Sequence, residues 1–394
     1  MNQTTRSKRA AQIVHLLLSA LSAGAGALAV LDPPTWPMLV LTIGVTEWGH
    51  LFAVPGAVAS LPAWRKASGS RLGRGLGLLA TGLALLSLAR AQRLAKQLPG
   101  RLAAAFGEAS THTGAGAPAR RAPLALADLL LGVRLPAIGA RRLAYVRRGE
   151  RALELDFYPP QGAGAPAPCL LVVHGGSWQG GDSSQLPALN RYLAARGYAV
   201  AAINYRLLPD HPFPAAYDDV LAAVGYLKQH AAGLGIDPHR LALLGRSAGG
   251  QLALLAAYAG GDPDIRAVVA FYAPTDMIEG HRNPAPKRVV DTVGVIERYL
   301  GGSPASARAA YLAAAPVCHA GPASPPTLLI HGGRDNMVSP RQSALLADRL
   351  AELGRPHMLL SLPWATHGCD ANFSGPSGQL STYAIERFLA ATLA

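Results

Sequence analysis

Apolar residues are distributed in two different ways along the chain, and the change falls near residue 107. Before it, three long runs contain few charged residues, at about 11–31, 36–61 and 73–90. A helical run of about twenty apolar residues is long enough to cross a bilayer. After it, short apolar runs alternate with stretches of helical periodicity as far as the C-terminus. The pattern therefore predicts transmembrane helices followed by a separate folded domain.

Eight of the short runs are typical of β-strands. Because they alternate with helical stretches, they favour a mostly parallel sheet with helices on both faces. We therefore expect an α/β domain with a mostly parallel eight-stranded sheet and flanking helices, preceded by an N-terminal transmembrane helical region. The runs are RRLAYV, ALELDFY, CLLVVH, AVAAINY, LALLG, AVVAFYAP, TLLIHGG and HMLLSLP.

These boundaries divide the sequence into three parts. Residues 1–106 form the predicted transmembrane and juxtamembrane region, and residues 124–394 form the folded domain. The segment between them, 107–123, reads GEASTHTGAGAPARRAP. Its small and polar composition is typical of a flexible linker.

Basic residues are concentrated in the first part of the chain. Lys and Arg outnumber Asp and Glu by 19 to 5 in residues 1–151, and the two nearly balance, at 17 and 18, in the rest. The basic residues flank apolar runs, which suits contact with anionic membrane lipids. Nucleic-acid binding is not expected, because it needs basic residues on a folded surface that also bears aromatic side chains.

The basic residues also predict a topology, because cytoplasmic loops are enriched in Lys and Arg. Residues 6–9 and 65–74 are basic, while the turn after the first apolar run contains no Lys or Arg. With three spans, this predicts a multi-pass protein of the cell membrane with an extracytoplasmic folded domain. The basic residues within 90–101 argue for the opposite side.

Two ionisable residues, Glu47 and His50, interrupt the second apolar run. They are three residues apart and would share one face of a continuous helix. Such residues are costly within a membrane and usually face protein or water. We expect a hydrogen-bonded pair that packs the helices together, with His15 of the first run as a further partner. A role in headgroup binding or proton relay is the alternative.

A serine between glycines follows the run LALLG, in the segment GRSAG at 245–249. A strand, a tight turn and a helix in this order form a nucleophile elbow, which exposes the serine at the end of the strand. Such an elbow requires an acid after a later strand and a histidine after the last one. Asp335 follows TLLIHGG and His367 follows HMLLSLP. The predicted catalytic residues are therefore Ser247, Asp335 and His367.

Attack on a carbonyl group also needs hydrogen-bond donors for the developing oxyanion. The segment HGGSW at 174–178 follows an earlier strand, where such donors are expected. The backbone N–H groups of Gly175, Gly176 and Ala248 are the predicted donors. Trp178 and Asp276 are candidates for substrate contact, with packing and loop fixation as the alternatives.

No metal site or cofactor is expected. The chain has three cysteines, no CxxC pair and no Cys/His group with the spacing of a zinc site. Cys169 opens a strand and is expected in the core. Cys318 and Cys369 both lie near the proposed active-site loops, and the sequence leaves open whether they pair.

Residues 141–394 resemble an α/β-hydrolase of the hormone-sensitive-lipase-like carboxylesterase group. The resemblance is carried by NYRLLPDHPFPAAYDDV (204–220) and GIDPHRLALLGRSAGG (235–250). The HGGSW segment and YAPTD (272–276) also resemble feruloyl-esterase-like and arylformamidase-like relatives. The N-terminal membrane region together with PWATHG around His367 is similar to bacterial membrane-anchored carboxylesterases. Arg246 departs from the group, which usually has an acid there, and the group's cap helices have no clear match.

The resemblance implies a serine-dependent carboxylesterase without a cofactor. Anchored to a membrane, it would hydrolyse acyl esters, lipid esters among them, through an acyl-enzyme on Ser247. One alternative is an amidase or arylformamidase that uses the same triad. Another is a membrane scaffold or sensor with a hydrolase-like domain. The partners expected are a small-molecule or lipid ester and membrane lipids, and the oligomeric state is left open.

Overall fold

The computed structural model describes residues 3–61, 71–111, 120, 122–162 and 166–393. Most of the predicted linker therefore lies outside the described residues. So does the basic loop that contains Arg65 and Lys66.

One mixed sheet of eight strands forms the centre of the second part, and its strands coincide with the eight predicted runs. The spatial order is β1-β2-β4-β3-β5-β6-β7-β8. β2 is antiparallel to β1 and β4, and the remaining neighbours are parallel. The predicted α/β fold is confirmed. The strands are β1 Arg141–Arg148, β2 Arg151–Tyr158, β3 Ala167–Val173, β4 Ala199–Ile203, β5 Ile236–Arg246, β6 Ile265–Phe271, β7 Thr327–Gly332 and β8 His357–Leu362.

Helices precede the sheet and then connect its strands. The first four are α1 Gln3–Ala27, α2 Trp36–Glu47, α3 Gly49–Ser60 and α4 Arg71–Phe106, with a 3-10 turn at Glu108–Thr111. Those of the sheet region are α5 Leu126–Leu131, α6 Pro187–Ala194, α7 Ala215–Gln229, α8 Ala231–Leu234, α9 Ala248–Ala259, α10 Met277–Arg282, α11 Thr292–Leu300, α12 Arg308–Ala313, α13 Pro316–His319, α14 Arg341–Glu352 and α15 Pro376–Thr392.

The sheet separates two apolar cores. Successive side chains of a strand point to opposite faces, and in β3 Leu171 and Val173 join one core while Leu170 and Val172 join the other. The strands are therefore apolar throughout, as expected for a parallel sheet that is covered on both faces.

Two of the N-terminal helices are long and apolar enough to cross a membrane. They comprise Ser7–Ala27 of α1 and the whole of α4. α2 and α3 together would make a third span only if the bent pair is counted as one. Nearly all exposed large apolar side chains of the described residues lie between Ile13 and Leu85. An apolar surface of this extent is typical of a face in contact with lipid or another protein.

The predicted continuous helix over 36–61 is wrong. α2 and α3 meet at an angle of 82° around Trp48. α3 packs extensively with α1 and α4, whereas α2 has fewer contacts with these helices and is also hydrogen-bonded to the α/β domain. The bend also separates Glu47 from His50, so these residues do not share the face of one helix.

Small residues allow α3 and α4 to approach closely. A Cβ atom on Gly56 would lie 2.7 Å from the carbonyl oxygen of Gly77, and a Cβ atom on Gly77 would lie equally close to that of Gly56. His15 of α1 donates from Nε2 to the Ala59 oxygen at 2.8 Å, and this bond connects α1 to the α3–α4 pair. The bundle thus has the close, small-residue packing that is common between membrane helices.

The second half of α4 belongs to the α/β core. The predicted third span ends at residue 90, but α4 continues to Phe106 and packs against α15 and β8. Leu98 and Leu102 are fully buried in the same core as Leu170 of β3. Arg101 donates to the carbonyl oxygen of Leu359 at 2.8 Å. The sequence boundary at residue 106 therefore does not separate two independently packed units.

We predict that Leu98→Ala destabilises the α/β domain by about 2–5 kcal/mol, because the side chain is fully buried and its removal leaves a cavity. Leu78→Ala is the matched control on the same helix, since Leu78 is 63% exposed. Thermal inactivation of the detergent-solubilised full chain measures the effect. Equal losses in the two variants would show that the second half of α4 is not part of the core.

Candidate active site

The serine of the GRSAG segment lies on a sharp turn between β5 and α9. Ser247 has φ 53° and ψ −121°, a conformation that is costly for a residue with a side chain. The flanking glycines are needed there. A Cβ atom on Gly245 would lie 2.1 Å from the Gly249 oxygen, and one on Gly249 would lie 2.2 Å from the His174 oxygen. The turn exposes the Ser247 hydroxyl at the carboxyl edge of the sheet, as predicted for a nucleophile elbow.

The structure brings Ser247, His367 and Asp335 together. His367 Nδ1 lies 2.7 Å from Asp335 Oδ2, and His367 Nε2 lies 3.0 Å from Ser247 Oγ. An ionised carboxylate only accepts hydrogen bonds, so Nδ1 carries a proton and donates it. Nε2 then accepts from the serine hydroxyl. The three side chains have the geometry of a serine nucleophile with an oriented general base.

Asp335 is kept ionised by its surroundings. Burial alone would raise the pKa of its carboxyl, but the charges and hydrogen bonds of His367 and His331 outweigh burial and hold this pKa well below its usual range. The backbone N–H groups of Met337 and Val338 each donate to Asp335 Oδ1 at 2.9 Å. The carboxylate is therefore fixed in position as well as in charge.

One of the three predicted oxyanion donors already forms a hydrogen bond within the protein. The Gly175 N–H donates to Gln185 Oε1 at 2.8 Å. Gly176 has φ 130°, and a Cβ atom there would lie 2.1 Å from the Gly180 oxygen, so only glycine fits this turn. Ala248 begins α9 directly after Ser247. The N–H groups of Gly176 and Ala248 are the donors that remain for an oxyanion, and α9 directs its positive N-terminus at the same point.

Two cavities meet at Ser247. The inner pocket, of about 60 Å³, is mostly apolar, and its lining includes Trp178, Val295 and Ile296. The outer cleft, of about 460 Å³, includes His367 and Trp36 in its lining. A substrate with two unequal parts can therefore place one part on each side of the serine.

The two predicted substrate residues differ in position. Trp178 lines the inner pocket, stacks on Tyr299 with ring centroids 4.2 Å apart, and donates from Nε1 to Gln251 Oε1 at 3.0 Å. Asp276 caps α10 by accepting from the Glu279 N–H at 3.0 Å. It is not part of the lining of either cavity. Its position therefore fits the alternative of a loop-fixing carboxylate.

Comparison with known proteins agrees with this arrangement. Residues 155–350 match the model of the BD-FAE family. The matched segment lies within the α/β domain, which is therefore called the BD-FAE domain. The expected relationship to hormone-sensitive-lipase-like and feruloyl-esterase-like enzymes is thereby confirmed.

Relatives of the BD-FAE domain are named as esterases. The chain is 31% identical over 256 residues to the probable carboxylic ester hydrolase LipM of Mycobacterium tuberculosis, which covers 61% of this chain and 58% of the relative. Over 240 residues it is 32% identical to the esterase LipC of the same organism, with 57% and 58% covered. The chain thus spans less than two thirds of these relatives.

Solved structures give the same assignment. A bacterial heroin esterase matches with a TM-score of 0.56 and 26% identity, covering 68% of this chain and 88% of the other. The thermophilic esterase Est2 of Thermogutta terrifontis matches with a TM-score of 0.53 and 25% identity, covering 63% and 89%. The BD-FAE domain therefore has the α/β-hydrolase fold of known esterases.

A buried cluster lies behind the elbow, and its members were not predicted from the sequence. Arg246, directly before the nucleophile, donates from Nε to Asp370 Oδ2, and Tyr272 donates to the other oxygen of the same carboxylate. The Tyr272 ring also packs against His367, with ring centroids 4.4 Å apart. The cluster joins the elbow to the loop of the general base. The unusual Arg246 was the available signal, because a buried arginine requires an acidic partner.

The loop of Asp335 is held by the N-terminal region. Arg334 donates to the carbonyl oxygens of Leu28 and Leu31, and Asn336 Nδ2 donates to the Pro33 oxygen at 2.7 Å. Both neighbours of the acid are thus bonded to the turn between α1 and α2. Nothing in the local sequence around Asp335 indicates these contacts.

Glu47 has a partner in the BD-FAE domain, not the predicted partner His50. Its carboxylate accepts from the Ser377 N–H at 3.0 Å and from Ser377 Oγ at 2.6 Å. Asn372 donates to the Glu47 backbone oxygen at 3.0 Å. These bonds connect the end of α2 to the segment that follows His367. The prediction of a Glu47–His50 pair on one helix face is therefore wrong.

The cysteines and possible metal ligands add no further site. All three cysteines are free, with Cys169 and Cys369 buried and Cys318 exposed. Cys318 and Cys369, whose pairing the sequence left open, do not form a disulfide. Among the described residues, no group of three or more His, Cys, Asp or Glu side chains is placed to hold a metal ion.

We predict that Glu47→Ala lowers the turnover rate and the temperature of inactivation together, because it leaves the buried Ser377 groups without an acceptor. An unsatisfied buried group costs about 1–3 kcal/mol. Glu47→Gln, which keeps one acceptor oxygen, should retain more of both properties. Steady-state kinetics and thermal inactivation of the full chain measure these changes.

His50→Ala is the control for this comparison. No hydrogen bond joins His50 to Ser377 in the described part of the chain, so its removal should leave the turnover rate within about twofold. If Glu47→Ala and His50→Ala had equal effects, the two residues would act as the pair that the sequence suggested.

Proposed function

We propose that the chain is a membrane-anchored serine carboxylesterase. The observation that carries the proposal is the hydrogen-bonded series Ser247–His367–Asp335 at the meeting point of the two cavities. The esterase names of its relatives and structural neighbours support hydrolysis of carboxylic esters over the amidase alternative. The assembled series also favours an enzyme over a scaffold or sensor.

In the proposed mechanism, His367 Nε2 removes the proton of Ser247 as Oγ attacks the ester carbonyl carbon. The N–H groups of Gly176 and Ala248 stabilise the oxyanion. His367 then gives the proton to the leaving alcohol, and the acyl group remains on Ser247. A water molecule, deprotonated by His367, releases the acid and restores the serine. Asp335 holds the imidazole in the tautomer that both steps require.

The two cavities suggest where the parts of the ester lie. The leaving alcohol must receive its proton from His367, which lines the outer cleft and not the inner pocket. We therefore assign the alcohol to the outer cleft and the acyl group to the inner pocket. Because the inner pocket is small, with about 60 Å³ of free volume, we propose short acyl groups. The wider cleft would accept a large alcohol.

We predict that Ser247→Ala lowers hydrolysis of p-nitrophenyl esters by at least about a thousandfold. In the wild type, acetyl to hexanoyl esters should react faster than palmitoyl esters, because the inner pocket is small. Spectrophotometric release of nitrophenol by the detergent-purified full chain measures both.

Ser303→Ala, in an exposed loop away from both cavities, is the matched serine control and should keep full activity. Equal activity in Ser247→Ala and wild type would reject Ser247 as the nucleophile.

We also propose that α1 and the first half of α4 span the membrane, that the shorter α3 returns the chain between them, and that the BD-FAE domain lies outside the cytoplasm. The C-terminal ends of α1 and α4 both reach the domain, through contacts such as Leu28–Arg334 and Arg101–Leu359. The basic residues Lys8 and Arg9 of α1, and Arg71 and Arg74 of α4, lie at the opposite ends of these helices. The positive-inside rule places those ends in the cytoplasm. The conflicting signal of 90–101 comes from the part of α4 that packs on the domain.

We predict that a membrane-impermeant maleimide labels Cys318 in intact cells, because Cys318 is the exposed cysteine of the BD-FAE domain. A Ser7→Cys variant made in a Cys318→Ser background should become labelled only after the cells are permeabilised. The reverse pattern would place the domain in the cytoplasm. Mass spectrometry of the labelled full chain identifies the modified residue.

A further inference from the structure

The rim of the outer cleft contains a residue of the N-terminal helical region. Trp36, the first residue of α2, lines this cleft together with His367 and yet is 52% exposed. Its backbone N–H donates to the Arg288 oxygen at 3.3 Å, which ties it to the loop between α10 and α11. The same loop supplies Val290 to the lining. The alcohol side of the active site thus opens beside α2.

α2 has two different faces. Leu39, Val45 and Glu47 are buried, while Val40 and Leu41 are exposed. The helix makes an angle of 82° with α3, which packs along α1 and α4. If these helices cross the bilayer, α2 lies close to the plane of its surface. A helix with one buried face and one exposed apolar face is suited to that position, and tryptophan is enriched at this depth.

The apolar surface continues past the far end of α2. Leu130 and Leu131 of α5 are 68% and 87% exposed. Two hydrogen bonds place them near the Glu47 end of α2. The Val133 N–H, just after α5, donates to Ser374 Oγ at 2.9 Å, and Asn372, two residues before Ser374, donates to the Glu47 backbone oxygen. Exposed apolar side chains therefore lie at both ends of α2, at Trp36 and on the neighbouring α5.

Basic residues lie at the cleft end of this surface. Lys287 and Arg288 are exposed, and within the described ranges neither forms an ion pair. They adjoin Trp36 through the backbone bond to Arg288. Lys and Arg at the surface of a membrane are attracted to anionic headgroups. Apolar side chains with basic residues beside them match the chemistry of an anionic bilayer surface.

We propose that the mouth of the outer cleft rests on the bilayer surface, and that the substrate is an ester dissolved in an anionic membrane. Its long apolar alcohol lies along Trp36, and its short acyl group enters the inner pocket. Lys287 and Arg288 hold the mouth against anionic headgroups. This inference rests on the proposed esterase function, since it assigns the substrate class of the same site.

The test uses the full chain reconstituted in vesicles of phosphatidylcholine, with or without phosphatidylglycerol. Two butyrate esters share one acyl group: p-nitrophenyl butyrate, which is soluble, and hexadecyl butyrate, which inserts into the bilayer. The readout is the rate on the inserted ester divided by the rate on the soluble ester. We expect phosphatidylglycerol to raise this ratio for the wild type.

The double variant Lys287→Gln/Arg288→Gln should lose that increase. Each charge removed should lower the ratio in phosphatidylglycerol vesicles by about fivefold. Trp36→Ala should raise the KM for hexadecyl butyrate in both kinds of vesicle. The matched control is Arg147→Gln/Arg151→Gln. It removes the same charge from the β1–β2 hairpin, at the end of the strand order away from β7 and β8, and should keep the wild-type ratio.

The inference is overturned if the wild-type ratio is the same with and without phosphatidylglycerol. It is also overturned if the two double variants behave alike, or if Trp36→Ala leaves the KM for hexadecyl butyrate unchanged. Failure of the proposed function is a separate result, because Ser247→Ala would then hydrolyse both esters as fast as the wild type.

Discussion

Hydrogen bonds between the N-terminal helical region and two loops hold the proposed active site together. Asp335 and His367 lie on separate loops after β7 and β8, and they must remain at hydrogen-bond distance from one another. Loops at the edge of a sheet are mobile unless other groups hold them. Here Arg334 binds carbonyl oxygens of the turn after α1, and Glu47 of α2 accepts from Ser377 beyond the histidine. The N-terminal helical region thus also helps to position Asp335 and His367.

The three residues of the hydrogen-bonded series could be predicted because each follows from a local pattern. Glycines at two-residue spacing around Ser247 mark a sharp turn between a strand and a helix, and that pattern is visible in five consecutive residues. Asp335 and His367 follow apolar runs that could only be late strands of the sheet. The eight strands were predictable for the same reason, since a strand buried on both faces is a short apolar run bounded by turn residues.

The contacts that support these residues could not be predicted, because they join distant parts of the chain. Asp370 is three residues after His367, and its partner Arg246 is 124 residues earlier. The Gln185 side chain accepts a hydrogen bond from the Gly175 N–H, and no motif indicates this residue. Hydropathy also could not predict how the N-terminal helices pack. An apolar side chain that faces lipid and one that packs on the BD-FAE domain have the same hydropathy, so the bend at Trp48 and the second role of α4 were not visible.

The course of α4 has a consequence for how this enzyme can be released or truncated. One helix begins among the exposed apolar segments and ends among the buried side chains that cover the sheet. Cleavage in the segment 107–123 would remove Leu98 and Leu102 from that core and expose apolar strand faces to water. Proteolytic shedding at the apparent linker would therefore release a damaged domain, not a soluble enzyme. A functional secreted form would have to keep α4 from about residue 90 onward. It would also need a substitute for the turn after α1 and for α2, which hold the loops of Asp335 and His367.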